Sequence, residues 1–329
     1  MGPAVDVDRR LMLRYIGLRL AVTVPVLLGI SVVVFAMVRF IPGDPSHAIL
    51  LSMVEPGADI SRLEQDLATL RADLGLDRPY PVQYAQWLSD VATGNLGTSL
   101  RSGGPVLDEL LLRLPATLEL AAAAFAVMVV VAVPTGIVGA AHHGTAADRL
   151  ARLLALVGVS VPGFLLGLLL MYGFSARLGW LPTFGRGTPA HLVLPAVTLG
   201  LGLAAGVSRL LRAALLDALS QPYIVTAEAK GLRWRAVLLR HALRNALLPV
   251  LTNTGLVVGG LLGGAVIVET VFSWPGVGRY IVDAIASRDY PVIQAFVLAM
   301  SVLYVVVNLA VDIAYRFADP RVRVEGVRA

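Results

Sequence analysis

Cysteine is absent from all 329 residues, and lysine occurs once, at Lys230. Without cysteine there is no disulfide, no thiolate metal site and no thiol nucleophile. An ATP-binding loop of the G-x-x-x-x-G-K-[ST] type needs a glycine directly before its lysine. Lys230 follows Ala229, so this chain does not hydrolyse ATP by that route. The five histidines (His47, His142, His143, His191 and His241) precede Ala, His, Gly, Leu and Ala, and none opens H-E-x-x-H. His142-His143 falls at a helix end and reads as a solvated terminus. No catalytic set and no metal site is expected, and the chain is read as a non-enzyme. Charge is scarce too, at 15% of residues, and aromatics make up 7%.

What fills the chain instead is apolar. The hydrophobic fraction is 57% and the mean hydropathy +0.77. That balance is wrong for a soluble domain and right for an all-α, polytopic membrane bundle. A spanning helix needs about 20 predominantly apolar residues. Six segments qualify, at about 14–38, 115–140, 152–176, 191–216, 246–271 and 291–316.

Arginine placement orients them. Arg9, Arg10 and Arg14 precede the first segment, and Arg316, Arg321, Arg323 and Arg328 follow the last. The link between segments four and five adds Arg209, Arg212, Lys230, Arg233, Arg235, Arg240 and Arg244. The positive-inside rule then predicts both termini in the cytoplasm. The same bias explains the pI of about 9.8. No soluble basic domain exists for nucleic acid, and lipid is the expected surrounding. The first apolar stretch is too long for a signal peptide and reads as an uncleaved span.

The expected organisation is a tail and first span over 1–41, an external region over 42–112, a core of five spans over 113–317, and a tail over 318–329. Pro42, Gly43 and Pro45 stop the first helix. In the external region, Leu63, Leu67, Leu70 and Leu74 predict a helix over Ile60–Leu74, with Ser61 and Glu64 resembling a capping box. Pro81–Val91 predicts a second short helix and Asn95–Pro105 a loop. Pro134, Pro162, Pro195 and Pro249 can kink or break their helices.

Polar groups within spans cost about 2.5–3.5 kcal/mol for a central charge and so mark candidate function. Glu119 and Glu269 lie near outer helix ends, within reach of water, and are candidates for a pathway or outer gate. Asp312 and Arg316 form an i, i+4 pair. Asn308 is expected to hydrogen-bond between helices.

The densest polar element is the link at about 217–245. Pro222 suits a first helical position and Gly231 the residue just past a helix end. Between them Tyr223, Val225, Thr226 and Ala229 offer a small-residue face, with Glu228 and Lys230 beside it, and a large side chain at Ala227 or Ala229 would crowd the offered surface. A basic amphipathic stretch, Trp234–Asn245, follows. Anionic lipid alone would account for that stretch, but not for the glycine-terminated element ahead of it.

At this element the chain resembles the permease subunits of ATP-binding-cassette importers, in the branch serving di- and oligopeptides, nickel and glutathione. Their coupling segment carries E-A-A-x3-G. Ala227 and Gly231 match it, and Val225 stands at the glutamate. The downstream I-x-L-P is replaced by His241-Ala242-Leu243-Arg244, with a proline only at Pro249. Arg39–Pro45, Leu74–Leu88, Gly94–Leu100, Leu114–Leu120, Glu269–Gly278, Asp289-Tyr290-Pro291 and Asp319–Arg323 resemble the same branch in the same order.

The resemblance covers almost the whole chain. It implies the type I importer permease fold in a bacterial inner membrane. The implied partners are a second permease, two ATPase subunits that bind ATP and Mg, and an external solute-binding protein. Tyr223 to Gly231 would couple to the ATPases. Peptides are the expected cargo, with nickel chelates and glutathione as alternatives. A self-sufficient secondary transporter would instead call for mid-membrane carboxylates and internal repeats, and the sequence offers neither clearly.

Overall fold

A computed structural model describes residues 3–40 and 77–318. The helix expected over Ile60–Leu74, most of Arg39–Pro45 and the tail from Asp319 lie outside the described residues, as do the side chains of Asp312 and Arg316. The described chain is helical, and its sole β-pairing is one isolated bridge, Thr98 to Pro105. It folds as two compact units that divide at Leu114/Pro115, Arg279/Tyr280 and Leu309/Ala310.

The first unit contains α1 (Pro3–Phe40), α2 (Tyr80–Ala92), the first turns of α3 (Val106–Ala141), most of α10 (Val277–Ala286) and the larger part of α11 (Tyr290–Ala318). Pro79 and Pro81 bracket the start of α2, where a missing N–H costs nothing. An aromatic knot holds α1 to α2. The Phe35 ring meets Tyr84 edge-on at 5.4 Å and Trp87 at 5.7 Å, and Ser31 Oγ shares a 2.8 Å hydrogen bond with the Tyr84 hydroxyl. After α2 the chain turns through residues 93–105, as expected.

The second unit holds the rest: α4 (Ala146–Ser160), α5 (Gly163–Arg177, π-wound from Met171), α6 (Pro189–Leu219), α7 (Pro222–Ala229), α8 (Trp234–Thr252, π-wound over Val237–Ala242) and α9 (Thr254–Val271). One apolar core gathers Leu120, Ala124 and Met128 of α3 with Leu194, Leu199 and Val207 of α6 and Leu261, Ala265 and Val268 of α9. Small residues let these helices approach closely. A Cβ on Gly200 would sit 2.6 Å from the Ala124 carbonyl oxygen, so α3 and α6 touch backbone to backbone there. Thr135 Oγ1 also donates to Ser208 Oγ across this pair at 3.0 Å.

Among the described residues, three helices are long and apolar enough to cross a membrane alone: Val106–Ala141, Pro189–Leu219 and Tyr290–Val311. Two bent pairs raise the number to five, and Ala21–Met37 adds a shorter apolar stretch. The third expected span is therefore not straight. Pro162 holds Val161 extended (φ −84°, ψ 121°), and α4 and α5 diverge by 103°. The fifth bends by 53° where α8 meets α9, just after Pro249. Asn308 corrects another expectation. Its Nδ2 donates to the Tyr304 carbonyl one turn back, at 3.0 Å, within its own helix.

Candidate functional site

The link between α6 and α8 is built as an eight-residue helix with defined ends. Gln221 is extended (φ −80°, ψ 148°), and Pro222 enters α7 at its first position. At the far end Gly231 takes φ +76°, a left-handed conformation that only glycine adopts without steric cost. The Gly231 N–H then donates to the Glu228 carbonyl at 2.8 Å, and the Leu232 N–H to the Ala227 carbonyl at 3.3 Å. These two crossed bonds are the Schellman arrangement, which satisfies the last carbonyls of a helix. Arg233 returns to extended backbone and α8 begins.

Alternation on α7 divides the predicted residues. Ile224 and Ala227, three apart, share one face and are buried. They join Leu211, Leu215 and Ala218 of α6 with Val237, Leu238 and Ala242 of α8 in a second apolar cluster. Tyr223, Val225, Thr226, Glu228, Ala229, Lys230 and Gly231 are exposed. Ala227 was expected on the offered surface; it is an anchor instead, because its position repeats that of Ile224. Val225 is 66% exposed, an apolar β-branched side chain facing outward.

The basic stretch Trp234–Asn245 is helical and continuous with the span that follows. It forms the first half of α8, running through to Thr252. Lys230, Arg233, Arg235, Arg240 and Arg244 are exposed, and among the described residues none is in an ion pair.

Above α7, α6 is tied to α4 by a charge pair no motif announced. Asp148, 1% exposed, accepts from Arg212 Nε at 2.7 Å and Nη2 at 2.9 Å, and from the Gly144 N–H at 3.1 Å. Arg152 stands 3.6 Å away. The pair holds the end of α6 that leads into α7.

Of the two candidate gate acids, Glu119 is partly exposed, as expected, and pairs with Arg186 at 2.6 Å. Glu269 does not reach water; it is 0% exposed. Its carboxylate accepts from Thr117 Oγ1 at 2.6 Å and from the Arg279 N–H at 3.0 Å. Thr117 Oγ1 in turn accepts from the Val277 N–H at 2.9 Å. Glu269 and Thr117 together satisfy the first amides of α10, where a negative charge is favourable. Trp274 closes the knot, donating from Nε1 to the Ala116 carbonyl at 2.8 Å. The segment Glu269–Gly278 is thus a folded corner.

Comparison with known proteins agrees with this architecture. Residues 132–324 match the family described as binding-protein-dependent transport system inner membrane component, and residues 12–121 match that system's N-terminal membrane component. The chain is 41% identical to the dipeptide transport system permease protein DppB of Alkalihalophilus pseudofirmus, over 95% of this chain and 100% of the relative. It is 45% identical to the glutathione transport system permease protein GsiC of Pectobacterium atrosepticum, over 95% and 99%. A putative peptide permease of Brucella ovis is 41% identical over 95% and 100%. Among solved structures, an inward-facing form of the MetNI methionine ABC transporter shares the fold, with a TM-score of 0.52 at 18% identity over 64% of this chain and 96% of that one. The chain belongs to the binding-protein-dependent inner membrane components, and is a non-catalytic, multi-pass permease subunit of an ATP-binding-cassette importer.

Proposed function

We propose that this permease imports di- or oligopeptides, forming the translocation pathway with a second, related permease. The observation that carries the coupling part is α7: a capped stub anchored by Ile224 and Ala227, with Val225, Thr226 and Ala229 turned outward. Two ATPase subunits, which bind ATP and Mg, would seat on that outward face, and the chain itself would hold no cofactor. Their closure would move α7, and with it α6 and α8, to which it is packed. An external solute-binding protein would deliver cargo on the other side. Both termini would be cytoplasmic, on the arginine bias read above.

The peptide reading is supported by the dipeptide and peptide permeases among the relatives. A glutathione reading has one observation in its favour, the 45% identity to a glutathione permease; glutathione is itself a tripeptide. Uptake of labelled dipeptide and of labelled glutathione, in cells with and without this chain, tests both. Dipeptide uptake that depends on the chain and on its ATPases supports the proposal. Uptake of neither, or uptake that persists without ATPase subunits, overturns it.

A further inference from the structure

A polar cavity of about 310 Å³ lies within the first unit, between the 99–102 turn, the start of α3 and the end of α10. Its volume is at the low end of ligand sites, enough for one side chain or a small solute. Two guanidinium groups line it, Arg101 and Arg113, against three carboxylates, Glu109, Asp283 and Asp289. Arg113 is already committed: it pairs with Glu109 and lies over the Tyr280 ring, 4.4 Å from its centroid. That leaves Arg101 facing two acids.

Asp289 is the unusual member. It is 2% exposed, and its Oδ2 accepts from Ser99 Oγ at 2.5 Å and from the Arg101 N–H at 3.3 Å. Its Oδ1 has no partner among the described residues. Burial, and then the charge of Asp289, push the Tyr280 phenol above its ordinary value, so it stays protonated. A carboxylate oxygen only accepts. A buried polar group left unpaired costs about 1–3 kcal/mol, and a natural complement brings donors and positive charge.

We propose that this cavity is a receptor site for a single alkylammonium or guanidinium group. On the proposed topology it opens to the outside. The group would come either from a lysine or arginine of the docking external protein or from the amino end of a peptide being delivered. This identification of the occupant rests on the importer reading; the cavity's preference for cations does not.

The absence of cysteine makes a direct test possible. Ser287 is exposed and lines the cavity. The full chain carrying Ser287→Cys, in intact cells and in inside-out vesicles, is reacted with the trimethylammonium-ethyl and the sulfonatoethyl methanethiosulfonates. Thr188→Cys, exposed and in the other unit, serves as reference. The cationic-to-anionic rate ratio is expected to be about tenfold higher at 287 than at 188. Adding Asp289→Asn should bring it within about twofold of the reference. Adding the exposed Asp283→Asn should lower it about threefold, which keeps the test readable if the Asp289 variant fails to accumulate.

Slowing of the cationic reaction by N-acetyl-arginine amide but not by glycylglycine identifies a protein side chain as the source; the reverse identifies a peptide amino end. Equal ratios at the two sites, or a ratio unmoved by either acidic substitution, overturns the proposal. Labelling at 287 confined to inside-out vesicles would refute the topology while the ratio still reports on the cavity.

Discussion

The Arg212 guanidinium donates to both carboxylate oxygens of Asp148, joining the half-buried end of α6 to the first turn of α4, where Asp148 is closed off from solvent. The bidentate geometry is the strong form of a charge-assisted pair. Its consequence is asymmetric. Removing one partner strands the other charge, whereas removing both leaves a smaller deficit. Arg212→Gln is therefore expected to cost about 3–5 kcal/mol, read as a lowered midpoint of thermal unfolding in detergent. Asp148→Asn combined with Arg212→Gln should recover part of that loss. A single variant as stable as the parent would remove the pair from the account of how α6 is held.

Glu269 gives a second expectation. Its carboxylate and Thr117 share the first amides of α10, so Glu269→Gln exchanges one accepting oxygen for a donor facing donors. A cost of about 1–3 kcal/mol is expected, with lower membrane abundance. Glu119→Gln breaks only a half-exposed pair with Arg186, for which about 0–1 kcal/mol is typical. Comparing unfolding midpoints of the two variants checks this. Equal, small effects would mean that Glu269 does not hold the corner, and would favour a gate role read from uptake instead.

How legible these parts were follows from how local they are. Gly231 could be read from sequence because a helix end needs its left-handed residue at a fixed offset, and the capping bonds lie within five residues. Glu269 could be singled out as a polar group in an apolar segment, but not placed. Its partner Thr117 is 152 residues away, and nothing near Glu269 announces it. Asp148 and Arg212, 64 apart, have the same difficulty, since an acid in a first helical turn and an arginine near a helix end are ordinary. The break at Pro162 was visible as a possibility; its size, 103°, is set by what packs on either side. Ala227 was misplaced because small residues fit both an anchor and a docking face. Only the register with Ile224 distinguishes them.

Membrane topology can be read with single cysteines on the same cysteine-free background. Ser102, Thr145 and Thr188 are exposed. An impermeant maleimide should label Ser102→Cys and Thr188→Cys in intact cells, and Thr145→Cys only after permeabilisation. Protection at 102 with labelling at 145 would invert the proposed orientation.

The coupling element allows the sharpest comparison, because its two alanines face opposite ways. Ala229 is exposed, so Ala229→Trp should leave abundance and unfolding unchanged while crowding whatever seats on α7. Ala227 is buried with Leu215 and Val237, so Ala227→Trp overpacks that cluster, at about 1–3 kcal/mol or more. Abundance should fall before coupling can be assessed. Gly231→Val acts differently again. Nothing lies within 4 Å of a Cβ at that position, so the cost is conformational: a β-branched residue forced to φ +76°. The Schellman bonds should loosen and α7 fray at its exposed end, with the spans still inserted. The expected outcome for Ala229→Trp and Gly231→Val is normal membrane abundance, lost uptake and weakened co-purification with the ATPase subunits. Full uptake by both variants at normal abundance would mean that α7 does not transmit ATPase movement. Loss of uptake in Ala227→Trp alone, tracking its abundance, would confine this helix to a structural role.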